Sequence, residues 1–540
     1  MKTGDIYIYD ISNNDIPIKS KPRPLLILSN PNEKDILALI GSSQSDRLSI
    51  NDGIFVYPSD LNEGHILNDN ICFMPYKQIL VSKLFCKTKL GSLKQEKLKE
   101  LLKKQLQIHT KAYYTAIHHP AQNTPFTPGK SRVNYAGRVF DEREMTTLMD
   151  SVLDFWLTYG DYSRQFEKKF AEYLGTRWAL LVNSGSSANL LAFMALTSPQ
   201  LGRKQVVRGD EVITIAAAFP TTVSPIIQYG AVPVFVDVDC ETFNIDTTQL
   251  EGALSNRTKA VMVAHTLGNP FDLQSVKTFC DKHNLWLIED NCDALGSTYQ
   301  GKKTGTWGDI GTSSFYPAHH ITMGEGGAVY TNDPLLKKIM LSLRDWGRDC
   351  WCESGKDNTC GQRFAQQHGT LPFGYDHKYV YSHFGYNLKA SDMQAAVGSV
   401  QLEKLPGFIK KRKENFTLLL NGLADLNDVF ILPKATIGSE PSWFGFLLTL
   451  CDGVNFTRNQ IVEYLENKNI QTRNLFGGNI VRHPMFASLQ EGHDYRIVGN
   501  LKNTDKITRD SFWLGVYPGL KPEAINYMVK QIHLFIGERQ

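Results

Sequence analysis

Three of the nine cysteines in this chain, Cys350, Cys352 and Cys360, lie within eleven residues of one another. Thiolate groups bind iron–sulfur clusters and also zinc ions. A third interpretation is that these cysteines are unrelated structural thiols. The clustering alone leaves all three interpretations open.

Two further motifs place polar side chains where phosphorylated cofactors bind in α/β proteins. Ser186 and Ser187 lie in NSGSSANLLAFMAL, between a buried strand and an apolar helix. The N–H groups and positive end of such a helix favour a phosphate, although an ordinary capped helix has the same composition. Asp290 ends the strand in LIEDNCDALGS. It either pairs with the protonated nitrogen of a pyridine cofactor or caps a helix.

The elements that must position these residues alternate between strand and helix from about residue 141. Apolar runs such as EVITIAAA, AVPVFVDVD, AVMVAHT and LWLIED are separated by helical segments. This alternation predicts an α/β fold with a mostly parallel sheet covered by helices on both faces. A long helical stretch follows Ser391, and a smaller mixed α/β region closes the chain.

The first part of the chain has a different pattern of apolar and polar residues. Residues 1–106 contain short apolar runs separated by Asn, Asp, Ser and Gly, which predicts a small β-barrel or sandwich. The segment ends in an amphipathic helix that Ser92 can cap. Residues 107–135 include several prolines and little periodicity, so we predict a linker and an N-terminal arm there.

Composition excludes several classes of function. The 540 residues are 42% hydrophobic and 21% charged, with a net charge of +3. That near-neutral charge speaks against nucleic acid as the main partner. No apolar run approaches the roughly 18 residues that cross a membrane, and the N-terminus lacks the apolar core of a signal peptide. We therefore expect a cytoplasmic protein with mostly reduced cysteines.

The order of the motifs resembles that of the DegT/DnrJ family of pyridoxal-phosphate-dependent sugar aminotransferases. The resemblance spans residues 130–540 and rests on NSGSSANLLAFMAL, LIEDNCDALGS, GDIGTSSFYPAHHITMGEGGAVYTND and HFGYNLKASDMQAAVGSVQLEKL. It implies the aspartate-aminotransferase fold (fold type I), with a large cofactor domain at 136–405 and a small C-terminal α/β domain at 406–540.

The resemblance also implies which residues hold pyridoxal phosphate (PLP) or pyridoxamine phosphate (PMP). In this family, serines bind the phosphate, an aromatic ring stacks on the pyridine, and an aspartate anchors the ring nitrogen. An asparagine reaches the phosphate of the neighbouring subunit, which implies a homodimer with shared sites. The implied cofactor-binding set is Ser186, Ser187, Phe219, Asp290, Asp293, Ser314 and Asn387.

His319 stands where the aminotransferases carry their Schiff-base lysine, in FYPAHHITM. A lysine amine condenses with pyridoxal, whereas an imidazole moves a proton near neutral pH without forming that bond. The resemblance therefore narrows to the sugar 3-dehydrases, which hold PMP non-covalently, and makes His319 the expected catalytic residue. We expect the adjacent His320 to have a packing role.

One branch of these dehydrases carries an iron–sulfur cluster. Its ligand pattern resembles Cys292, Cys350, Cys352 and Cys360, which favours [2Fe–2S] over zinc for this chain. Since Cys292 lies two residues after Asp290, the resemblance implies a cluster next to the cofactor. This branch comprises the CDP-4-keto-6-deoxyglucose 3-dehydrases of 3,6-dideoxysugar synthesis in lipopolysaccharide O-antigens.

The implied activity is removal of the C3 hydroxyl of a nucleotide-linked 4-keto-6-deoxyhexose. Among such sugars, the resemblance favours CDP-4-keto-6-deoxyglucose as the substrate. The cluster would pass on two electrons from an NADH-dependent flavin/iron–sulfur reductase. The alternatives are a dTDP- or GDP-linked sugar 3-dehydrase and a sugar aminotransferase-like enzyme. The aminotransferase would need a lysine in place of His319.

Residues 1–106 resemble the PemK/MazF-type toxin fold, a small SH3-like barrel, through GDIYIYD and KPRPLLILSN. Arg23 matches an arginine that serves RNA cleavage in that family, but the Ser/Thr on a later strand has no counterpart. We therefore expect a docking or regulatory module, with RNA binding as the alternative.

Overall fold

The protein divides into two compact units, Met1–Thr124 and Pro125–Gln540. The computed structural model describes residues 94–352 and 355–539 in full, and before them the backbone of the strands between residues 5 and 93. The predicted domain boundary at 106/107 falls inside a helix of the first unit.

The first unit contains an antiparallel sheet with the strand order β4-β6-β3-β2-β1-β7-β5. The SH3-like barrel and the PemK/MazF resemblance stay predictions, and the side chain of Arg23 lies outside the described residues. The strands are β1 (Asp5–Tyr9), β2 (Arg23–Ile27), β3 (Asp35–Ser42), β4 (Ile54–Val56), β5 (Leu61–Gly64), β6 (Ile71–Ser82) and β7 (Cys86–Leu93).

A long helix follows this sheet. Helix α1 (Gln95–Tyr113) continues through a π-helical turn at Tyr114–His118 into α2 (His119–Asn123). It is longer than predicted because no glycine or proline interrupts the chain before Pro120. Leu101, one of the predicted apolar positions, is fully buried.

The second unit alternates strands and helices, as the sequence predicts. Its strands in the described part of the chain are β8 (Trp178–Val182), β9 (Glu211–Ile215), β10 (Val232–Val236), β11 (Thr258–Ala264), β12 (Trp286–Asp290), β13 (Thr298–Tyr299), β14 (Lys302–Lys303), β15 (Ile310–Ser314), β16 (Gly327–Thr331), β17 (Phe430–Ile431), β18 (Ser439–Glu440), β19 (Gly445–Leu450), β20 (Thr472–Arg473), β21 (Arg496–Ile497) and β22 (Ser511–Gly515).

Helices surround these strands. Within the described residues of this unit they are α3 (Glu142–Asp154), α4 (Asp161–Leu174), α5 (Gly185–Leu196), α6 (Pro220–Tyr229), α7 (Leu250–Ala253), α8 (Leu273–His283), α9 (Pro334–Arg344), α10 (Asp392–Gly422), α11 (Arg458–Asn467), α12 (Lys502–Asp510) and α13 (Pro522–Gly537).

The main sheet has the order β21-β10-β9-β11-β12-β15-β16-β8. All neighbouring pairs from β21 to β15 are parallel, whereas β16 is antiparallel to both β15 and β8. Strands β9, β10 and β12 are buried along their whole length. Burial on both faces explains why they read as continuous apolar runs instead of alternating ones.

Helices cover both faces of this sheet because successive strand residues point in opposite directions. On one face, Leu180 and Val182 of β8 belong to a core with helices α5 and α9. On the other face, Ala179 and Leu181 belong to a core with α4 and α10. Each fully buried leucine of this kind stabilises the fold by about 2 kcal/mol relative to an exposed one.

The long helix α10 links the main sheet to the C-terminal part of the chain. Ser391 and Gln394 form a reciprocal capping box that fixes its start. The helix runs past the predicted 405/406 domain boundary without ending there, through Pro406. The C-terminal sheet, with the order β17-β19-β22-β20, follows. Among the described helices, none has the length and apolarity needed to cross a membrane.

Candidate active site

A cavity of about 500 Å³ opens where the central strands β12 and β15 end. Carboxyl ends of parallel strands are where α/β sheets place their ligands. The cavity is lined by most of the residues that the sequence predicted, namely Ser186, Phe219, Asp290, Asp293, Ser314 and His319, and also by Cys292.

The first turn of helix α5 forms one wall. Ser184 caps the helix, and its Oγ accepts a hydrogen bond from the N–H of Ser187 at 3.0 Å. A Cβ atom at Gly185 would lie 2.4 Å from the Cβ of Ser314, so only glycine allows this turn to approach β15 so closely. The exposed Ser186 stands beside this glycine. Such a turn is suited to a phosphate group.

Asp290 lies at the floor of the cavity and is 4% exposed. Its Oδ2 accepts hydrogen bonds from Asn189 Nδ2 at 2.8 Å and from Thr222 Oγ1 at 2.7 Å. Its Oδ1 accepts a bond from the N–H of Cys292 at 3.1 Å. Asn189 is itself fixed by the hydroxyl of Thr312, 2.7 Å away. These contacts hold the carboxylate in one orientation, as anchoring a ring nitrogen requires.

His319 and Asp293 form a buried pair in which Nδ1 and Oδ1 are 3.4 Å apart. Burial lowers the pKa of His319 to about 4, and the positive charge of Arg412 adds to this effect. Burial raises the pKa of Asp293 to about 8, and the negative charge of Asp290 adds to that. At neutral pH, therefore, the imidazole is uncharged and can accept a proton, and Asp293 is protonated.

Arg412 was not singled out by the sequence, and it organises the back of the site. Its guanidinium is buried and donates hydrogen bonds to the backbone carbonyls of His319, Trp443 and Phe444. The ring of His319 packs against Phe444, with centroids 5.2 Å apart. His320 is buried and donates from Nε2 to the carbonyl of Ser442 at 2.7 Å. The packing role expected for His320 agrees with this contact.

Aromatic side chains form the outer wall. Phe219 directly precedes helix α6 and is 49% exposed, with its ring near that of Phe476. Arg473 lies over the ring of Tyr135, 3.9 Å from its centroid. Both of these residues line the cavity, and neither was predicted. They place a cation and flat apolar surfaces at the entrance.

Asn387 lies away from this cavity. It is exposed, and it pairs through its backbone with Asp345. Asn387 is predicted to reach the cofactor phosphate of a neighbouring subunit. That role requires an exposed side chain, and it stays a prediction.

The four predicted metal ligands are divided between two places. Cys292 lies in the cofactor cavity, where a Cβ atom at Gly185 would come within 3.1 Å of its Sγ. Burial, followed by the charge of Asp290, raises the pKa of the Cys292 thiol. Cys350, Cys352 and Cys360 line a separate small cavity together with His377.

The three clustered thiols belong to the segment that follows α9. The Sγ atoms of Cys350 and Cys360 and one imidazole nitrogen of His377 lie within 4.8 Å of one another. Burial opposes ionisation of Cys352, but hydrogen bonds from Thr359, Cys360 and Cys350 outweigh it, so its pKa falls to about 7. A thiolate is the form that binds a metal.

A family model for the DegT/DnrJ/EryC1/StrS aminotransferase family matches residues 138–533. The chain belongs to this family. The match covers the whole sheet with its cavity and none of the first unit. It confirms the predicted family and the α/β, aminotransferase-like body.

Named relatives extend the comparison. The lipopolysaccharide biosynthesis protein RfbH of Salmonella typhimurium is 54% identical over 413 residues, which are 76% of this chain and 94% of RfbH. A dTDP-4-dehydro-2,6-dideoxy-D-glucose 3-dehydratase of Saccharopolyspora spinosa is 50% identical over 78% of this chain and 90% of its own length.

Solved structures of family members share the fold. The E. coli GDP-4-keto-6-deoxy-D-mannose 3-dehydratase with bound hydrated PLP aligns with a TM-score of 0.66 at 29% identity, over 74% of this chain and all of that one. Another structure of such a 3-dehydratase contains a trapped PLP-glutamate geminal diamine. These neighbours support PLP or PMP as the cofactor here.

The cavity fits that cofactor on its own geometry. Gly185 leaves a space that a Cβ would fill, and Asp290 offers a fixed buried carboxylate. Among the described residues, the buried His319 Nδ1 and Asp293 Oδ2 have no hydrogen-bond partner, so both remain available to a bound group. The family match and the cavity together indicate an enzyme that acts on nucleotide sugars with a PLP-type cofactor.

Proposed function

We propose that this chain is a PMP-dependent 3-dehydratase that removes the C3 hydroxyl of a nucleotide-linked 4-keto-6-deoxyhexose. The observation that carries the proposal is the buried neutral His319, which occupies the lysine position beside Asp290 and Asp293. Lysine would make the site suited to transamination, whereas an imidazole can move a proton but cannot form the bond that a lysine amine makes with pyridoxal.

The cofactor, when bound, supplies an amine for the C4 ketone and a pyridine ring that accepts electron density. The serine turn at Ser186 and Ser187 holds the phosphate, and Ser314 lies across from it at the end of β15. The Asp290 carboxylate would keep the ring nitrogen protonated, since a fixed anion favours the cationic ring. Phe219, which lines the same cavity, would offer an aromatic surface to that ring.

His319 moves the proton. With its pKa near 4, the imidazole is unprotonated at neutral pH and accepts a proton through a ring nitrogen. Asp293 lies 3.4 Å away and is protonated at that pH, so it places no negative charge beside the imidazole when the imidazole takes up the proton. The protonated imidazole can then return this proton to the departing C3 hydroxyl, which leaves as water, so the first half-reaction is a dehydration.

Net deoxygenation requires two electrons and two protons after the dehydration. We propose that a [2Fe–2S] cluster on this chain passes the electrons one at a time, and that an NADH-dependent flavin/iron–sulfur reductase supplies them. The clustered thiols of Cys350, Cys352 and Cys360 support this proposal.

The substrate proposed is the CDP-linked 4-keto-6-deoxyglucose, and the dTDP- and GDP-linked sugars are the alternatives. Relatives named as 3-dehydratases of dTDP- and GDP-linked sugars support the reaction class. Feeding the three nucleotide sugars to the reconstituted enzyme in parallel ranks them by kcat/KM.

A homodimer with shared active sites is part of the proposal. Three aromatic side chains of the second unit are strongly exposed: Phe155 at 72%, Phe373 at 74% and Phe384 at 101%. Phe384 is three residues before Asn387. A partner subunit that covers Phe384 would lie close to Asn387, which could then reach the phosphate site of that partner.

For residues 1–106 we propose a docking or regulatory role, with RNA binding as the alternative.

The exchange of His319 for lysine tests the proposal. Borohydride reduction with PLP is expected to label His319→Lys at residue 319, because a primary amine is restored beside the cofactor, and to leave the parent unlabelled. His319→Asn serves as the matched control, since it removes the imidazole without adding an amine. Labelling of the parent at an active-site lysine would contradict the non-covalent model.

A further inference from the structure

The loop that carries His319 is held by one long helix. Helix α10 contacts this loop through Gln401 and Arg412, which are both buried and lie eleven residues apart. Eleven residues make about three helical turns, so the two side chains project from the same face of α10. Gln401 Oε1 accepts a hydrogen bond from the N–H of Thr322 at 3.3 Å, and Arg412 bonds to His319 itself.

The guanidinium group of Arg412 joins two separate segments of the chain. Its Nη2 donates to the carbonyl of His319 at 3.1 Å. Its Nη1 donates to the carbonyls of Trp443 and Phe444 at 3.3 and 3.4 Å. The planar fork of an arginine bonds such acceptors in fixed directions, which a lysine cannot do. The backbone of His319 therefore has a fixed place relative to Trp443 and Phe444.

The second segment, residues 442–444, directly precedes strand β19 and is itself held by hydrogen bonds. The N–H of Ser442 donates to Ser297 Oγ at 2.7 Å. The N–H of Phe444 donates to the carbonyl of Leu267 at 2.8 Å. This segment thus gives Arg412 a fixed point of attachment.

The same segment also contacts the two histidines of the loop. The ring of Phe444 packs against that of His319, with centroids 5.2 Å apart, and the carbonyl of Ser442 accepts a hydrogen bond from His320. The guanidinium of Arg412 lies over the Phe444 ring, 5.6 Å from its centroid. Arg412 therefore fixes both the backbone of His319 and the aromatic surface against which its imidazole packs.

The presence of a charge at this position has a cost. The side chain of Arg412 is 1% exposed, and its buried Nε has no hydrogen-bond partner among the described residues. Burial lowers the pKa of Arg412 to about 9. An apolar side chain could fill the same space without the penalty of a buried cation. Costly buried charges of this kind cluster at functional sites.

We propose that Arg412 is a positioning residue for the proton transfer at His319. It holds the His319 carbonyl at a fixed distance from those of Trp443 and Phe444, so that the imidazole keeps one place in the cofactor cavity. The reaction rests on the proposed function, whereas the contacts of Arg412 do not depend on which sugar is bound. Loss of the guanidinium should leave substrate binding largely intact and slow the proton transfer.

The first test measures exchange of the C3 oxygen with labelled water, per molecule of PMP-loaded full-length protein. Arg412→Met keeps an unbranched side chain but removes the guanidinium. We expect its kcat to fall between about tenfold and a hundredfold, the cost of a small misplacement. KM should change little, because Arg412 does not line the cofactor cavity. Lys413→Met is the matched control and should keep the parent kcat, since Lys413 pairs with the exposed Glu440 on the surface.

Arg412→Lys separates the charge from the geometry. A lysine keeps the positive charge but lacks the planar fork, so kcat should lie between the values of Arg412→Met and the parent. Because it keeps a cation at this position, this variant also provides the test if Arg412→Met does not fold.

A second readout follows residue 319 without any sugar. In His319→Lys, the rate at which PLP and borohydride label residue 319 reports how well that side chain is placed beside the cofactor. Addition of Arg412→Met is expected to slow this labelling about tenfold. Addition of Lys413→Met is expected to leave the rate unchanged.

Several results would overturn the positioning role. They are a kcat of Arg412→Met equal to that of Lys413→Met, a loss confined to KM, or labelling that Arg412→Met does not slow. Full kcat in Arg412→Lys would show that the charge alone matters and would also contradict it. A parent without exchange would contradict the proposed function instead, and the labelling rates would still decide the role of Arg412.

Discussion

The cofactor cavity and the thiol cluster are built in different ways. In the cavity, Asp290 and Ser314 end buried parallel strands, so the sheet itself fixes their positions. In the cluster, Cys350 and His377 lie in the segment after α9, where His377 begins a short 3-10 helix (His377–Tyr379), and backbone hydrogen bonds and the Arg363–Asp376 ion pair hold this segment. Sheet ends give precise positions, whereas the loop depends on its own contacts and on what it binds.

The difference matters for mechanism because the two regions would perform separable halves of one reaction. Dehydration needs the groups of the cavity, such as Asp290 and His319. Reduction needs the electrons that the cluster passes on. Damage to the cavity should therefore stop both halves, and damage to the cluster should stop only the second half.

The largest effect is expected at the floor of the cavity. Asp290→Asn replaces the fixed carboxylate with a neutral amide that cannot keep the ring nitrogen protonated. We expect turnover to fall at least about a hundredfold, the size of effect that loss of a preorganised electrostatic contact has. Single-turnover assays with saturating PMP measure it. Thr222→Val, which removes only one hydrogen bond to Asp290, should cost less. Similar turnover in both variants would show that Asp290 has another role.

Replacing Cys352 with serine should separate the two half-reactions, because it should stop the reduction and leave the dehydration intact. Serine is a poor iron ligand, so the metal should be lost or weakened. We expect net deoxysugar formation with NADH and reductase to disappear, while the C3 oxygen still exchanges with labelled water. Cys240→Ser, at a half-buried thiol outside both regions, is the control. Deoxysugar formed at the parent rate by iron-free Cys352→Ser would make the thiols structural.

A smaller effect is expected from pH. Asp293 is protonated below its pKa of about 8 and ionises above it, where its new charge stabilises the protonated form of His319. The imidazole stays neutral in this range, since its own pKa is about 4, and the added charge makes it a stronger base. The dehydration rate should therefore rise above pH 8. Asp293→Asn should remove this alkaline limb, which a pH profile of the exchange rate shows. An unchanged limb would assign it to another group.

The smallest effect is expected from removal of the first unit. The chain divides at Thr124/Pro125, and the family match begins at residue 138. Residues 125–540 alone should keep the cavity and its dehydration rate within about twofold, since independent domains contribute separately to stability and activity. A folded fragment that has lost exchange activity would show that the first unit contributes to the site.

The sequence was informative where function follows from regular structure. Asp290 could be placed at a strand end because LWLIED reads as a buried strand, and the Ser186 turn because it lies between a strand and a helix. The role of His319 could be predicted only from the family resemblance, because the resemblance shows that His319 stands where the aminotransferases carry their Schiff-base lysine.

The sequence did not reveal contacts made across long separations. The sequence around Arg412 predicts a helix and nothing more. The side chain of Arg412 organises the back of the site because the fold brings three backbone carbonyls to it. His377 is 17 residues after Cys360 and begins a single 3-10 turn, which is too short to leave a periodic pattern in the sequence. The family resemblance grouped Cys292 with the other three cysteines. The fold also places His377 beside Cys350 and Cys360, which no sequence pattern indicated.

The central claim is that the cavity removes the C3 hydroxyl of the sugar by proton transfer at His319 and does not transfer an amino group to the sugar. The most direct measurement incubates the PMP-loaded protein with the nucleotide-linked 4-keto-6-deoxyhexose in water enriched in oxygen-18, without reductase. Because the elimination is reversible, we predict that label enters at C3 in the parent and does not enter in His319→Asn. Absence of label in the parent, together with an amino sugar formed when glutamate is added, would contradict the account and establish an aminotransferase.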